Sequence, residues 1–279
     1  MFKKQFSVIS LACLMLLTSS LVFCRDFQVE SSNGMFKTSF GLELSNYLYK
    51  EPGLMQEEGK RCGLFGEFCL NNFIEENPFL ALQLRYMFGN IDYDGSIADI
   101  PIKISGVRDY YLEGRLLWGT IVSKDQEIEF YPYFGVGYRY LYDDLCSTLW
   151  PAGYERLQRY AYLPLGIDLV HNFVNGLSLS LNAEYDVFLW GLNTSGKNEF
   201  GRVGENYKQC GGYGFRFAGK IVCETIRQVS MCLEPFFRYW DITKSESVCH
   251  FEDGEKVYYF EPSNFTQEYG IGFKIKFSF

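Results

Sequence analysis

The sequence predicts an all-β chain, a transmembrane antiparallel up-and-down β-barrel of about ten strands, with eight or twelve if a hairpin is split or merged. Three observations carry this. Apolar residues recur at every second position in segment after segment, which is the strand period. The segments outrun the roughly 5 or 6 residues usual for soluble strands, yet suit the roughly 9 to 11 that a tilted strand needs to cross a bilayer. Short and long connections alternate along the chain, as in barrels with one turn rim and one loop rim.

The first 24 residues are an address. Lys3 and Lys4 precede the apolar stretch Val8 to Leu17, followed by Thr18-Ser19-Ser20 and Leu21-Val22-Phe23-Cys24, the charged, apolar and cleavable order of a secretory signal peptide. Residues 1–24 are read as signal peptide and 25–279 as the exported barrel domain. A lipidated Cys24 fits less well, because bulky Phe23 sits where a small residue is wanted, and the apolar core is short for an anchor helix. Removing the peptide leaves 24 bases against 34 acids, a net charge of −10. That acidity offers no basic stripe for phosphates, so nucleic acid is not an expected partner. At 47% hydrophobic and 18% aromatic the chain is too apolar for disorder.

Ten segments follow. Residues 36–49 set Phe40, Leu42 and Leu44 against Lys37 and Glu43, and 60–71 place Arg61 and Glu67 on one parity. Residues 79–93 set Leu80, Leu82 and Leu84 against Arg85; 106–120 set Leu112 and Leu116 against Asp109, Glu113 and Arg115. In 129–143 Phe134, Val136 and Tyr138 oppose Arg139, and in 157–171 Leu163, Leu165, Ile167 and Leu169 oppose Asp168. Residues 177–190 set Leu179, Leu181 and Val187 against Glu184 and Asp186; 211–223 set Phe215, Phe217 and Ile221 against Arg216 and Lys220. Residues 230–242 set Leu233 and Phe237 against Glu234 and Arg238. The clearest is 265–279, with Phe265, Tyr269, Ile271, Phe273, Ile275, Phe277 and Phe279 on one side and Glu268, Lys274 and Lys276 on the other.

Connections near 72–78, 121–128, 172–176 and 224–229 are short, and Asn175-Gly176 supplies a tight-turn pair. Those near 50–59, 94–105, 144–156, 191–210 and 243–264 are long. The charge-free parity is assigned to lipid. Aromatics gather where strands end: Tyr47, Tyr49, Tyr93, Tyr110, Tyr140, Tyr142, Tyr160, Trp190, Tyr213, Tyr239 and Phe265 toward the long rim, Phe36, Phe79, Trp118, Phe130 and Phe279 toward the other. They read as two interfacial girdles. The opposite parity carries nine acids and ten bases, and in a lumen this narrow such charges must pair, which predicts a plugged interior. Pro132, Pro164 and Pro235 fall inside segments, where a closed wall has no edge to spare the missing N–H; Pro164 is expected to mark a bulge.

Phe279, with Phe277 and Phe273 in an alternating aromatic C-terminal strand, resembles the assembly signal of Gram-negative outer-membrane barrels. The segments Pro132-Tyr133-Phe134-Gly135-Val136-Gly137-Tyr138 and Leu233-Glu234-Pro235-Phe236-Phe237-Arg238-Tyr239-Trp240 are similar to strands of the opacity-protein and porin-like outer-membrane barrel superfamily. The resemblance implies a bacterial outer-membrane location, contact with membrane lipid and lipopolysaccharide, handling by the barrel-insertion machinery, and surface function through loops.

No catalytic set is expected. The omptin proteases, barrels of similar size, would need paired aspartates and an Asp-x-His; here Asp92-Tyr93-Asp94 could supply a pair, and His250 with Asp253 lies in the last long loop, but Val248 stands two before His250. His171 maps to the opposite end. An Asp-x-Asp is more often a turn former. No strand offers the His-Ser pair of a lipid A deacylase, no calcium loop is spelled out, and no CxxC suggests zinc, so no cofactor or metal is expected. Of the seven mature cysteines, Cys146, Cys210 and Cys249 sit at outer loops, where bridges could fasten loops together; Cys223 and Cys232 flank a short turn and could face each other, while Cys62 and Cys69 read as small half-buried residues. The expectation is a non-enzymatic barrel, adhesin- or antigen-like, meeting an outside partner through 191–210 and 243–264, where Tyr207, Tyr258, Tyr259 and Phe260 lie. A small porin-like channel is the alternative, and an omptin-like rim hydrolase stands behind it.

Overall fold

The computed structural model describes residues 35–71, 78–97, 100–122, 128–145, 154–173, 176–197, 204–226, 228–252 and 254–279. The signal-peptide boundary, Asn175, Cys146 and Asp253 lie outside them. Among the described residues thirteen strands form: β1 (Phe36–Glu51), β2 (Met55–Asn71), β3 (Pro78–Ile97), β4 (Ile100–Thr120), β5 (Ile128–Asp144), β6 (Glu155–Asn172), β7 (Leu177–Lys197), β8 (Glu205–Gln209), β9 (Gly212–Ile226), β10 (Val229–Ile242), β11 (Val248–Glu252), β12 (Glu255–Tyr259) and β13 (Asn264–Ser278). Ten of them, all but β8, β11 and β12, make the wall. Each pairs antiparallel with its sequence neighbour, β7 pairs with both β6 and β9, and β13 closes onto β1. Closure removes the exposed edges that an open sheet would present. The ten predicted segments are these ten strands.

The difference lies at the long rim. Much of what reads as loop is strand: β1 and β2 are joined only by Pro52-Gly53-Leu54, where Gly53 takes a left-handed φ of 81° that other residues adopt only with strain. β3 and β4 stay paired up to Ile97 and Ile100, and β8 pairs with the upper part of β7. Segment 243–264 carries a separate β11–β12 hairpin. Above the apolar belt the outer face turns polar while the inner face mixes ions such as Glu57 and Arg156 with buried apolar side chains such as Met55, Ile91 and Val107, so the two-residue period loses its single sign although the backbone pairing continues.

Each of the three prolines singled out in the sequence sits where a ladder is already interrupted, whereas Pro78 and Pro101, near strand starts, stay in register with Thr120 and Ser96. Pro132 lies just beyond the last β4–β5 pair, Tyr133 with Gly119; the β5–β6 pairing skips the positions opposite Leu163 and Pro164; the β9–β10 pairing skips those opposite Glu234 and Pro235. The bulge falls close to Pro164 but on β7, where Leu189 is left between the Tyr162–Phe188 and Ala161–Trp190 pairs. It flips the parity of the strand, so Phe188 and then Gly191 and Asn193 turn inward while Leu189 and Trp190 face out.

The wall is inside-out relative to a soluble barrel. Phe40, Leu42 and Leu181 are each at least 60% exposed, while no charged residue shares the central outward positions. In water each such side chain would forgo about 1.5–3 kcal/mol of burial, so this surface suits acyl chains. Ring contacts run around it: Tyr86, Tyr110 and Tyr142 on one side, Tyr185, Tyr213, Tyr239 and Phe265 on the other, and Phe36–Phe68, Trp118–Phe134 and Phe277–Phe279 toward the terminal rim. Five expected girdle residues belong elsewhere. Tyr47, Tyr49, Tyr93 and Tyr160 are buried inside, and Phe79 packs on an inner cluster of Ala81, Leu117 and Tyr133. Height alone suggested a girdle for them; their parity, shared with Glu43, Arg85 and Gln158, decides for the lumen.

Candidate functional site

The interior is the most constructed part of the molecule. At the end where β1 begins and β13 finishes, here the terminal mouth, a cavity of about 370 Å³ is lined by Lys37, Glu67, Lys220, Glu224 and Lys276 among others. Lys220 pairs with Asp168 at 3.1 Å and Lys274 with Glu234 at 2.8 Å in its wall. Four guanidiniums close its inner end. Arg85 reaches Glu43 at 2.9 Å and Glu113 at 2.6 Å. Arg216 reaches Glu113 at 2.6 Å, Asp186 at 2.7 Å, Glu184 at 3.0 Å and the Tyr162 hydroxyl at 2.9 Å. Arg115 pairs with Glu184 and donates to Gln83 at 3.0 Å. Arg238 joins Glu43 at 2.8 Å to Glu268 at 3.2 Å. These ions come from seven strands, so the network spans the barrel as cross-bracing.

Above it lies an apolar plug of Met87, Tyr111, Leu141, Tyr160, Tyr162, Phe188, Trp240 and Ile242. Trp240 is 1% exposed, and Arg139 stacks over the Tyr111 ring at 4.6 Å. Higher still, Arg61 pairs with Asp109 and lies 3.2 Å over the Tyr47 ring, and Arg156 gathers Glu51 at 3.1 Å, Asp143 at 2.9 Å and Glu57. All ten singled-out lumen charges, Glu113, Arg115, Arg139, Asp168, Glu184, Asp186, Arg216, Glu234, Arg238 and Glu268, turn inward. The Arg156 hub was missed, because Arg156, Glu51 and Glu57 lie in stretches read as loops and only Asp143 falls at the end of a predicted segment. The signal was present: Met55, Glu57 and Arg61 continue one parity, as do Arg156, Gln158 and Tyr160.

The hydrolase candidates are not brought together by any hydrogen bond among the described residues. Asp92 and Asp94 lie on the outer face of the β3–β4 hairpin, Asp92 accepting from the Gly106 N–H at 3.3 Å and Asp94 pairing with Lys103 at 2.6 Å. His250 sits 3.1 Å from Glu205 of β8, and His171 against Phe173 at the terminal end. The cysteines are also separated. Register pairs Cys223 with Met231 and Cys232 with Val222, so these two side chains occupy opposite faces of the wall and cannot face each other. Cys210 is level with Glu246, its Sγ 3.7 Å from that carboxylate. Cys249 is on the exposed face of β11, away from His250, and both thiols are unbridged. Phe279 hydrogen-bonds Phe36 at 2.8 Å and stacks on Phe277 at the terminal rim.

The fold is that of outer-membrane β-barrels. The chain is similar to the outer membrane protease OmpT from Escherichia coli, with 10% identity over 92% of this chain and 100% of that one and a TM-score of 0.64. The translocator domain of the autotransporter NalP from Neisseria meningitidis is also similar, at 10% identity over 97% of both chains with a TM-score of 0.45. At 10% identity the likeness to OmpT concerns fold alone. No protein-family model matches the chain, and none of the curated proteins is similar to it in sequence.

Proposed function

We propose that this outer-membrane barrel fold is exported to a bacterial outer membrane after loss of residues 1–24 and serves there as a plugged pillar presenting its long hairpins outside the cell. The role is structural and adhesin- or antigen-like. Its outward belt meets membrane lipid and lipopolysaccharide, and Phe273, Phe277 and Phe279 are read by the insertion machinery. The observation that carries this reading is the closed lumen: Arg85, Arg216 and Arg238 cross it with their carboxylates, beneath a plug centred on Trp240. Hydrating those ions for transport means undoing pairs whose single-partner loss costs about 3–5 kcal/mol.

The partner surface is 191–210 and 243–264. There Phe251, Tyr258 and Phe260 stand 73%, 60% and 46% exposed on or beside the β11–β12 hairpin, a concentration that favours contact with another molecule. Purified protein in planar bilayers tests the plug: silence supports it, and stepwise conductance would replace it with the channel reading, which the cavity at the terminal mouth favours. The hydrolase reading draws only on the OmpT-like fold; cleavage of basic peptides that disappears in Asp92→Asn or His250→Ala would establish it.

A further inference from the structure

Segment 243–264 leaves the top of β10 and returns into β13 carrying the β11–β12 hairpin as an arm. Two hydrogen bonds close its neck. The Ser245 N–H donates to the Glu261 carbonyl at 3.0 Å, and the Glu261 N–H to the Ser245 Oγ at 2.8 Å. Between them the Glu261 side chain turns away from the arm and into the barrel mouth, 6% exposed, where the Asn193 amide of β7 donates to its Oε1. Asn193 points inward only because of the bulge at Leu189. Glu261 is thus the one side chain with a described hydrogen bond between this neck and the inner wall.

Its surroundings suit a neutral acid. Glu51 and Tyr49 face it from β1, Asp143 from β5, Arg156 and Tyr160 from β6, and Tyr154 from just before β6. Arg156 is the only cation among these groups, and its guanidinium already serves Glu51, Glu57 and Asp143. The Tyr49 hydroxyl donates to Glu51 at 2.8 Å and so is not spent on Glu261. An ionised Glu261 adds a fourth carboxylate to one shared guanidinium.

We propose that Glu261 is a protonation-controlled clamp: as a neutral acid it holds the 243–264 arm on the barrel mouth, and loss of its proton lets the neck open. Burial, with the Glu51 carboxylate adding to it and Arg156 opposing, pushes the Glu261 carboxyl up from 4.5 to about 8. In the released arm the carboxyl meets water and returns toward its ordinary value. Between the two values the clamped form holds a proton that the released form does not, so each pH unit of rise favours release about tenfold. Below that window and above about pH 8 the balance is flat. The clamp is tightest in acid and loosens toward mild alkali, whatever the arm binds.

Amide hydrogen exchange on the full chain in detergent micelles tests this, with protection factors of the Ser245 and Glu261 amides corrected for intrinsic rates. The wild type is expected to lose protection about tenfold per pH unit through the window and then level off. Glu261→Gln is expected to show no such slope. Glu51→Gln, which removes the like charge, moves the levelling-off to lower pH. A flat wild-type profile, or an equal slope in Glu261→Gln, overturns the proposal. Amides of the β1–β13 ladder at Leu44 and Ile271 report the fold; should Glu261→Gln lose them, an unshifted Glu51→Gln profile overturns it instead.

Discussion

Arg216 is the most connected ion of the lumen, and replacing it with Ala tests the cross-bracing. Its guanidinium touches Glu113, Asp186 and Glu184 at 2.6–3.0 Å and the Tyr162 hydroxyl at 2.9 Å. After Arg216→Ala, Glu113 keeps Arg85 and Glu184 keeps Arg115, but Asp186, 0% exposed, has no other ion pair among the described residues. An uncompensated buried charge costs about 3–5 kcal/mol. The expected loss sits toward the upper part of that range, because two further carboxylates lose one of their cations. Arg216→Lys keeps the charge but not the fork that meets three acceptors, so it is expected to fall in between. The exposed pair Lys103 with Asp94 is the control: Lys103→Ala should leave the unfolding midpoint unchanged, since such pairs are screened by solvent. Urea unfolding in phospholipid vesicles, followed by tryptophan fluorescence and heat-modifiable gel migration, measures all three. Arg216→Ala matching the wild type, or Lys103→Ala falling as far, would refute the reasoning.

Other outcomes follow from the same interior. Wild-type protein should be silent in planar bilayers, whereas the double replacement Trp240→Ala with Tyr162→Ala, which removes two plug rings 4.9 Å apart, should give stepwise conductance at a stability cost of several kcal/mol, about 3–5 for each ring. Gly137→Ala should destabilise by about 1–3 kcal/mol, because its new Cβ falls 2.2 Å from the Tyr162 ring, whose hydroxyl donates to Glu113 at 2.8 Å and would be pushed off it; a neutral result in the urea assay would show that the ring has room to move.

The wall was legible because its two faces meet media of opposite polarity. Phe40, Leu42, Lys37 and Glu43 carry the same contrast in a single strand as the whole barrel does in section. The lumen charges were legible for the same reason, as ions are tolerated on one parity only. Legibility ended where the contrast ended. Above the belt Glu57, Arg156 and Asn193 line the interior of strands whose outer face is also polar, so alternation no longer separates strand from loop. Leu189 defeated parity in another way: a single unpaired residue inverted the upper part of β7, and nothing in Phe188-Leu189-Trp190 announces which of three apolar residues is skipped. Partner choice across the lumen, such as Arg238 with Glu43 against Arg216 with Glu113, depends on the stagger of closure rather than on any one strand.

The most direct measurement is the environment of single spin labels in the reconstituted protein. Labels at Leu165, on the outward parity of β6, and at Phe273, on that of β13, should be reached by oxygen dissolved in the bilayer and shielded from a water-soluble nickel reagent. The reverse pattern at both positions, or a processed chain that stays monomeric in buffer without detergent, would contradict the account at its root.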